Sequence, residues 1–385
     1  MKICTLICEF NPLHNGHKYI LDKARKLSGC DYLVAVMGGN FCQRADPAFI
    51  NEYVRAEIAL ACSADMVIEL PAIYAAAAAD KFAFGAVEII KTLPNVTHLV
   101  MGSECNDPKL LDKIGKIQAQ ESEIYSATLK AMLNCGKSYA KAVTEASAAA
   151  AKAENLDGGK VRKLLNLPNN ILAVAYKKML ELSNSAIEFL PVPRIKEYLS
   201  ASDIRANFSH EKVKTAMPEA SYIATSKTLK ESFVRENEFD AIMLHSLRKT
   251  DENLIAQTPD CNEGLEYKIK KAAVTARDYK EMLSICSCAR YTTGRIKRIC
   301  VQNLLGIKRG MQESNYNCAR LLGIRKSARE LLSILPNNII TNKASEKNIP
   351  TDFSEIYNID KAACGIYSVI THESGNGFYK KLIKV

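Results

Sequence analysis

An α/β fold, with an open parallel sheet covered by helices and a mostly helical C-terminal region, is what this chain predicts, and three observations carry the expectation. Over the first hundred residues short apolar runs alternate with helical patterns. The later runs each end in glycine or proline, the usual punctuation at the carboxyl end of a buried strand. The chain has 385 residues and is 48% apolar, enough for two domains with well-buried cores.

Taken in order, Lys2 to Cys8 reads as a buried parallel strand, and Lys18-Tyr19-Ile20-Leu21-Asp22-Lys23-Ala24 opens a helical pattern after it. Asp31 to Met37 is a second strand ending in Gly38-Gly39. Glu52 to Ser63 is a helix, Met66 to Leu70 a third strand closed by Pro71, and Lys81 to Thr92 a helix. His98 to Met101 is a fourth strand, ended by Gly102. In such a sheet the loops after the strands hold the ligand. Residues 108–163 are rich in Ala, Lys and Glu and read as helices. Phe189 to Pro193 looks like the last strand, leading into Arg194. A polar, helix-prone stretch then runs to about His245, and residues 250–262 read as a turn-rich junction. From Gly264 onward the pattern is largely helical, with Tyr316 to Leu335 a long amphipathic candidate. The expected division is 1–245 and 246–385.

The chemistry concentrates in Glu9-Phe10-Asn11-Pro12-Leu13-His14-Asn15-Gly16-His17-Lys18, which joins the first strand to the first helix. Pro12 stiffens the turn, Gly16 admits close backbone approach, and the helix that follows offers free N–H groups and a positive dipole end to an anion. His14 and His17 can donate hydrogen bonds to charge building on an α-phosphate as pyrophosphate is displaced. The competing role for the two histidines is capping and packing of that helix.

Net charge is +10, unevenly spread. From Ser246 on there are 23 Lys and Arg against 14 Asp and Glu, a balance of +9, whereas the first 245 residues are nearly neutral at +1. Residues 290–329 hold ten basic residues and one acid, Glu313. Arg290, Arg295, Lys297, Arg298, Lys308, Arg309, Arg325 and Lys326 make that segment an electrostatic footprint for a phosphate backbone, with Tyr291 and Tyr316 interleaved as stacking surfaces for unpaired bases. Solvated helix faces would show the same charge run. The 13 cysteines are scattered through apolar runs without a Cys-x-x-Cys pair, as small core residues are, and Cys286-Ser287-Cys288 lacks partners at zinc-site spacings, so no metal ligands are assigned. No N-terminal stretch has the order of a signal peptide, and no apolar run reaches the roughly 18 residues needed to cross a bilayer. The expected location is cytoplasmic, with no membrane or protein partner implied.

The His14-x-Gly16-His17 turn resembles the signature of the nucleotidyltransferase superfamily, which implies a Rossmann-like nucleotidyltransferase domain. A narrower resemblance follows from the opening segment together with Val36 to Ala48, Ala64 to Pro71, and Met101-Gly102-Ser103-Glu104. Pro168-Asn169-Asn170, Arg194, Ser200 to Arg205, Glu263-Gly264-Leu265-Glu266 and Ala319 to Gly323 extend it over nearly the full chain. In order and spacing these are similar to the tRNA(Met) cytidine acetate ligase family.

That resemblance implies an ATP-dependent enzyme that forms acetyl-adenylate and passes the acetyl group to N4 of the wobble cytidine in the anticodon loop of elongator methionine tRNA. It implies ATP and Mg²⁺ as cofactors, acetate and tRNA as partners, and His14 and His17 as catalytic residues. ATP would be held by Ile7, Cys8, Glu9, Phe10, Asn11, Pro12, Leu13, His14, Asn15, Gly16, His17, Lys18, Tyr19 and Ile20, with Gly102, Asn169 and Arg194 completing the site.

Each of the last three has a plainer alternative: Gly102 a strand end, Asn169 a helix cap, Arg194 a surface residue. Arg44, Asp46, Ser202 and Arg205 are further expected contacts to phosphate or substrate, although Ser200 or Ser202 can equally cap a helix. The chain departs from the family's pattern at Glu52, where a lysine is common, and at Met101, where an aromatic is common. The first departure leaves open whether that helix touches phosphate. An adenylyltransferase with a small product and a non-catalytic RNA-binding protein on the same fold are the rival functions.

Overall fold

A computed structural model describes residues 1–105, 107–374, 377–380 and 382–385. Its centre is an eight-stranded sheet built from β1 (Ile3–Cys8), β2 (Tyr32–Gly38), β3 (Met66–Leu70), β4 (Val96–Ser103), β5 (Glu188–Pro193), β6 (Ala319–Ile324), β7 (Ile339–Ile340) and β8 (Ile383–Lys384). The order is β5-β4-β1-β2-β3-β6-β7, with β8 also on β6. The first five strands are mutually parallel, and β6 runs antiparallel to β3. In-register pairing of Cys4 with Leu33 and of Cys8 with Met37 brings the ends of β1 and β2 level, so the loops after them share one rim.

Alternation along each strand explains why the apolar runs are continuous rather than broken by polar residues. Ile3, Ile7, Val34 and Val36 enter one core, and Cys4, Leu6, Leu33, Ala35 and Met37 enter the other. A parallel sheet covered by helices on both faces requires this. The helix Asn15–Ser28 buries Leu21, Ala24 and Ser28 along one stripe and stops at Gly29, whose φ of 58° is a left-handed conformation open to glycine. It begins at Asn15, three residues before the apolar pattern does, because His14 caps it.

Three expectations need correction. Tyr316 to Leu335 is not a long helix: Ala319–Ile324 is the strand β6, followed by the 3-10 segment Lys326–Ser333. All six residues of β6 are buried, and β3 presents an edge for them to pair with. The same observation makes β5 the last strand of the parallel set but not of the sheet, and it means that residues 246–385 complete the sheet begun by 1–245. Tyr316 is fully buried and packs edge-on against Phe353, ring centroids 5.3 Å apart, so it offers no base a stacking face.

Apart from β6, β7 and β8 the C-terminal region is mainly helical, chiefly Leu265–Thr275, Tyr279–Cys286, Thr293–Leu305 and Ser354–Thr371. Among the described residues no helix is long and apolar enough to cross a membrane, and no group of three His, Cys, Asp or Glu could hold a metal ion. All thirteen cysteines are free.

A buried ion network fastens β6 to the sheet. Arg320 donates to the Glu69 carboxylate, lies 3.4 Å from Glu52, and donates to the Phe378 carbonyl at 2.8 Å and the Tyr53 hydroxyl at 3.2 Å. Glu52 is therefore held inside the core and does not line the cavity described below, so no phosphate contact comes from this position. Asp360, from Ser354–Thr371, accepts from Ala72 N–H at 2.7 Å, and burial followed by the charge of Glu69 raises its carboxyl to about 8.

Candidate active site

The turn after β1 is held open by its own polar groups. Phe10 has a φ of 47°, and the Asn11–Pro12 bond is cis. The Asn11 side chain accepts from Phe49 N–H at 2.7 Å, while Ser221 Oγ donates to the Leu13 carbonyl at 2.7 Å. His14 caps the following helix: its Nδ1 accepts from Gly16 N–H at 3.0 Å, and its own N–H donates to His17 Nδ1 at 3.4 Å. The two imidazoles stack with centroids 3.8 Å apart. A Cβ on Gly16 would stand 2.8 Å from His14 Cε1, so glycine is required here to seat the imidazole.

These contacts modify the expected anion site. Gly16 N–H is taken by His14 Nδ1, and the N–H groups of His17 and Lys18 turn back to the His14 carbonyl. The first helical turn is thus largely self-satisfied, which leaves side chains as the free donors here. Burial, reinforced by nearby Arg194, pushes His14 down to about 4; burial, the neighbouring His14 and Arg194 hold His17 well below the usual imidazole range, with the Pro12 carbonyl pulling back weakly. Both rings are neutral at pH 7. An Nδ1 that accepts a hydrogen bond leaves the proton of His14 on Nε2, a donor without a formal charge.

The cations come from two other elements. Arg194, at the end of β5, donates from its backbone to the Ser103 carbonyl at 2.8 Å and lies 3.4 Å from Glu104. Glu104 also accepts from the N–H groups of Asn169 and Asn170 at the start of the helix Pro168–Leu182. Asn170, fully buried, accepts from Ser103 Oγ at 2.8 Å and Glu104 N–H at 2.9 Å. Asn169 is not the cap of this helix; Leu167 occupies that position. Gly102 is more than a strand end, since a Cβ there would meet Ile20 Cδ1 at 2.4 Å and Arg194 Cγ at 3.5 Å.

Arg205 donates to the Asn11 carbonyl at 2.6 Å and to Ser202 Oγ at 3.2 Å, and Ser200 rather than Ser202 caps its helix, Ala201–Ala206. Arg55, fully buried, donates to the carbonyls of Glu9, Gly38, Gly39 and Ile50, tying the ends of β1 and β2 together.

One cavity of about 1040 Å³ collects the site. Of the residues singled out in the sequence, its wall takes Ile7, Cys8, Glu9, Phe10, Asn11, His14, Gly16, His17 and Ile20 from the first strand, turn and helix. Gly102, Asn169, Arg194, Arg44, Asp46, Ser202 and Arg205 join them from elsewhere in the chain. Pro12, Leu13, Asn15, Lys18 and Tyr19 do not line it. Leu13 is in the core, Asn15 donates to the Thr215 carbonyl at 2.8 Å, Lys18 pairs with Asp22, and the Tyr19 ring lies 6.4 Å from that of Tyr198.

The basic segment is divided in the same way. Lys297 reaches the cavity wall and pairs with Asp46 at 2.6 Å, joining the helix Thr293–Leu305 to the loop after β2. Arg290, Arg295 and Lys268 surround the Tyr291 ring at 5.2–6.0 Å. Arg298 is largely buried, which lowers its guanidinium. Lys308 pairs with Glu355 at 2.7 Å, and Arg309 donates to the carbonyls of Ala256 and Cys261. Arg325 donates to the Leu60 carbonyl and lies 3.9 Å from Asp65, just before β3 begins, which puts it and Lys326 at the end of the sheet away from the cavity.

Sequence reasoning gave no role to Glu104, Asn170 or Arg55. The signal for the first two was their position beside Gly102 and Asn169; for Arg55 there was none, since an arginine in an apolar helix reads as exposed until the carbonyls it serves are known.

The family model for HIGH nucleotidyl transferases matches residues 1–380. A tRNA(Met) cytidine acetate ligase of Clostridium kluyveri is 33% identical over 96% of this chain and 95% of its own, and that of Thermoanaerobacter sp. strain X514 is 33% identical over all of both. Two crystal structures of Thermotoga maritima TmcAL, one apo and one bound with alpha-thio ATP, superpose over the full length of both chains with TM-scores of 0.94 and 0.93 at 29% identity. The turn, the sheet and the full-length match lead to one conclusion: this chain belongs to the tRNA(Met) cytidine acetate ligase family of HIGH nucleotidyl transferases.

Proposed function

We propose that the protein activates acetate with ATP and transfers the acetyl group to N4 of the wobble cytidine of elongator methionine tRNA. The observation that carries this reading is the stacked pair of neutral imidazoles, His14 and His17, in one cavity with Arg194 and Arg205. The names of its relatives and the ATP analogue bound by TmcAL agree with it.

An acetate oxygen attacks the α-phosphorus, the bond to the β-phosphate breaks, and pyrophosphate leaves. His14 Nε2–H donates to charge developing at the α-phosphate. Arg194 and Arg205 hold the departing phosphates, with no reorganisation needed as charge moves. The N4 amine then attacks the acetyl carbonyl, AMP departs with the bonding pair, and the amine loses a proton. That amine is a weak nucleophile, which is why a mixed anhydride is the fitting donor. The target base must leave its stack, which an anticodon loop allows at small cost.

The described residues form no metal cage. A Mg²⁺ accompanying the nucleotide would supply neutralisation of phosphate charge. Functionally, residues 1–245 carry the nucleotide chemistry and 246–385 most of the RNA-facing surface, with Arg290, Arg295, Lys297, Lys308 and Arg309 on it and the more buried Arg298 behind them; Arg325 and Lys326 stand apart, at the far end of the sheet. A tRNA-modifying enzyme of this kind works in the cytoplasm.

The test incubates the protein with ATP, labelled acetate and bulk tRNA, digests the RNA and looks for labelled N4-acetylcytidine. Its absence, with ATP and acetate turned over, would reject the acceptor. A dinucleotide product would favour the adenylyltransferase, and tRNA binding without ATP turnover the non-catalytic protein.

A further inference from the structure

The cavity is larger than the nucleotide end alone. Its volume, about 1040 Å³, is at the top of the roughly 300–1000 Å³ typical of a single small-molecule site, and its wall continues from the strand ends onto helices of the C-terminal half. There it is lined by Phe233, Glu236, Asn237, Asp240 and Lys280.

Four features of that lobe are unlike an ordinary surface. Phe233 is 47% exposed although it opens onto the cavity. The Arg235 guanidinium lies over the Phe233 ring at 4.6 Å, so one ring face is backed by a cation. The backbone on either side is anchored to the end of the helix Ser354–Thr371, Arg235 N–H to the Ile370 carbonyl at 2.9 Å and Ser232 Oγ to the Thr371 carbonyl at 3.3 Å. Finally, Glu236 and Asp240 are one helical turn apart in Glu236–Lys249 and, with Asn237 between them, line the same wall. An anchored, cation-backed aromatic beside carboxylates and an amide is the equipment needed to stack an unpaired base and read its edge.

We propose that this lobe receives the wobble base, with Phe233 as its stacking platform and Asp240, assisted by Asn237, as the group that selects cytosine. The proposal rests on the acetyl-transfer reading and names the acceptor site within it. A carboxylate accepts an N4–H of cytosine and the Asn237 amide donates to N3 or O2; uracil would turn its O4 acceptor toward the carboxylate and be repelled. The Lys297–Asp46 pair stands on the same cavity wall, where it links this lobe's helices to the loop after β2. Asp240 is a specificity and positioning residue here; no step of adenylation uses it.

The experiment compares two half-reactions of the full-length protein. Acetate-dependent exchange of labelled pyrophosphate into ATP reports adenylation without RNA, and acetyl transfer to a methionine elongator tRNA transcript reports the whole sequence. Phe233→Ala lowers transfer roughly tenfold to a hundredfold more than it lowers exchange, the range that loss of one base–aromatic stack spans, and Phe233→Trp restores most of it. Asp240→Asn narrows discrimination: a transcript with uracil at the wobble position, at least tenfold weaker than the cytosine transcript as a competitor of the unmodified protein, comes within about threefold for the variant.

Equal loss of exchange and transfer in Phe233→Ala, or an unchanged competitor ratio in Asp240→Asn, overturns the base site while leaving the acetyl-transfer reading in place. Failure of the unmodified protein to make N4-acetylcytidine overturns both.

Discussion

Two pairs of arginines in this molecule teach opposite lessons. Arg55 and Arg320 are inside the protein and their N–H groups are consumed: Arg55 by four carbonyls of the strand-end loops, Arg320 by Glu69, the Phe378 carbonyl and the Tyr53 hydroxyl, with Glu52 beside it. Arg194 and Arg205 are half-buried on the cavity wall and their guanidinium groups are held by fewer partners, Glu104 for the one, Asn11 and Ser202 for the other. The first pair shapes the site without meeting a ligand. The second is positioned by its few bonds and, in the proposed mechanism, keeps donors for phosphate. Arginine in the sequence is the same letter in all four places, and only the partners separate a strut from a clamp.

The largest expected effect tests the strut. Arg320→Ala leaves Glu69 and Glu52 buried with their charge uncompensated and lowers unfolding stability by about 3–5 kcal/mol, measured by denaturant titration. A loss under about 1 kcal/mol would show that the network is not holding β6. His17→Ala comes next, on the ligand side: acetate-dependent pyrophosphate exchange falls about 10²- to 10³-fold, while tRNA binding at fixed salt stays within about twofold. If binding collapses together with exchange, the chemical and docking roles are not separated as drawn.

Acid pH then sharpens the comparison. His14, held at about 4 in the folded chain against an ordinary 6.5, binds fewer protons folded than unfolded between those values. Stability therefore rises with pH across that window, and this group gives up on the order of 3 kcal/mol as the pH falls through it. His14→Gln, titrated by thermal unfolding at pH 4, 5.5 and 7, flattens that part of the slope; an unaltered slope would mean the ring is more solvated than its burial indicates. The smallest effect is at the rim. Lys297→Met, breaking a partly exposed pair with Asp46, changes stability by less than about 1 kcal/mol and reduces the salt dependence of tRNA binding by about one unit of slope.

The turn from Glu9 to Lys18 was legible because its parts are local: strand, turn and helix bring His14 and His17 together within four residues. Gly102 and Arg194 were readable as strand ends, though what Gly102 makes room for, the Ile20 side chain, was not. The strand β6 escaped the pattern. Ala319 to Ile324 is too short and too uniformly apolar for periodicity to choose between helix and strand, and its assignment rests on an antiparallel neighbour some 250 residues earlier in sequence, β3. Tyr316 failed for the same reason, and the place of Arg325 was equally unreadable: an aromatic or a cation in a basic segment says nothing about which side of the sheet it will occupy.

By itself, then, the sequence determined the parallel sheet, the rim that carries the cavity and the imidazole pair, because strand alternation, capping and turn chemistry act over a few residues. The tertiary structure alone decided which charges are free. Whether a guanidinium or carboxylate faces a cavity or is extinguished by a partner depends on groups hundreds of residues apart, as with Asp46 and Lys297 or Glu69 and Arg320. Burial sets the worth of a charge, and burial is a property of the whole fold.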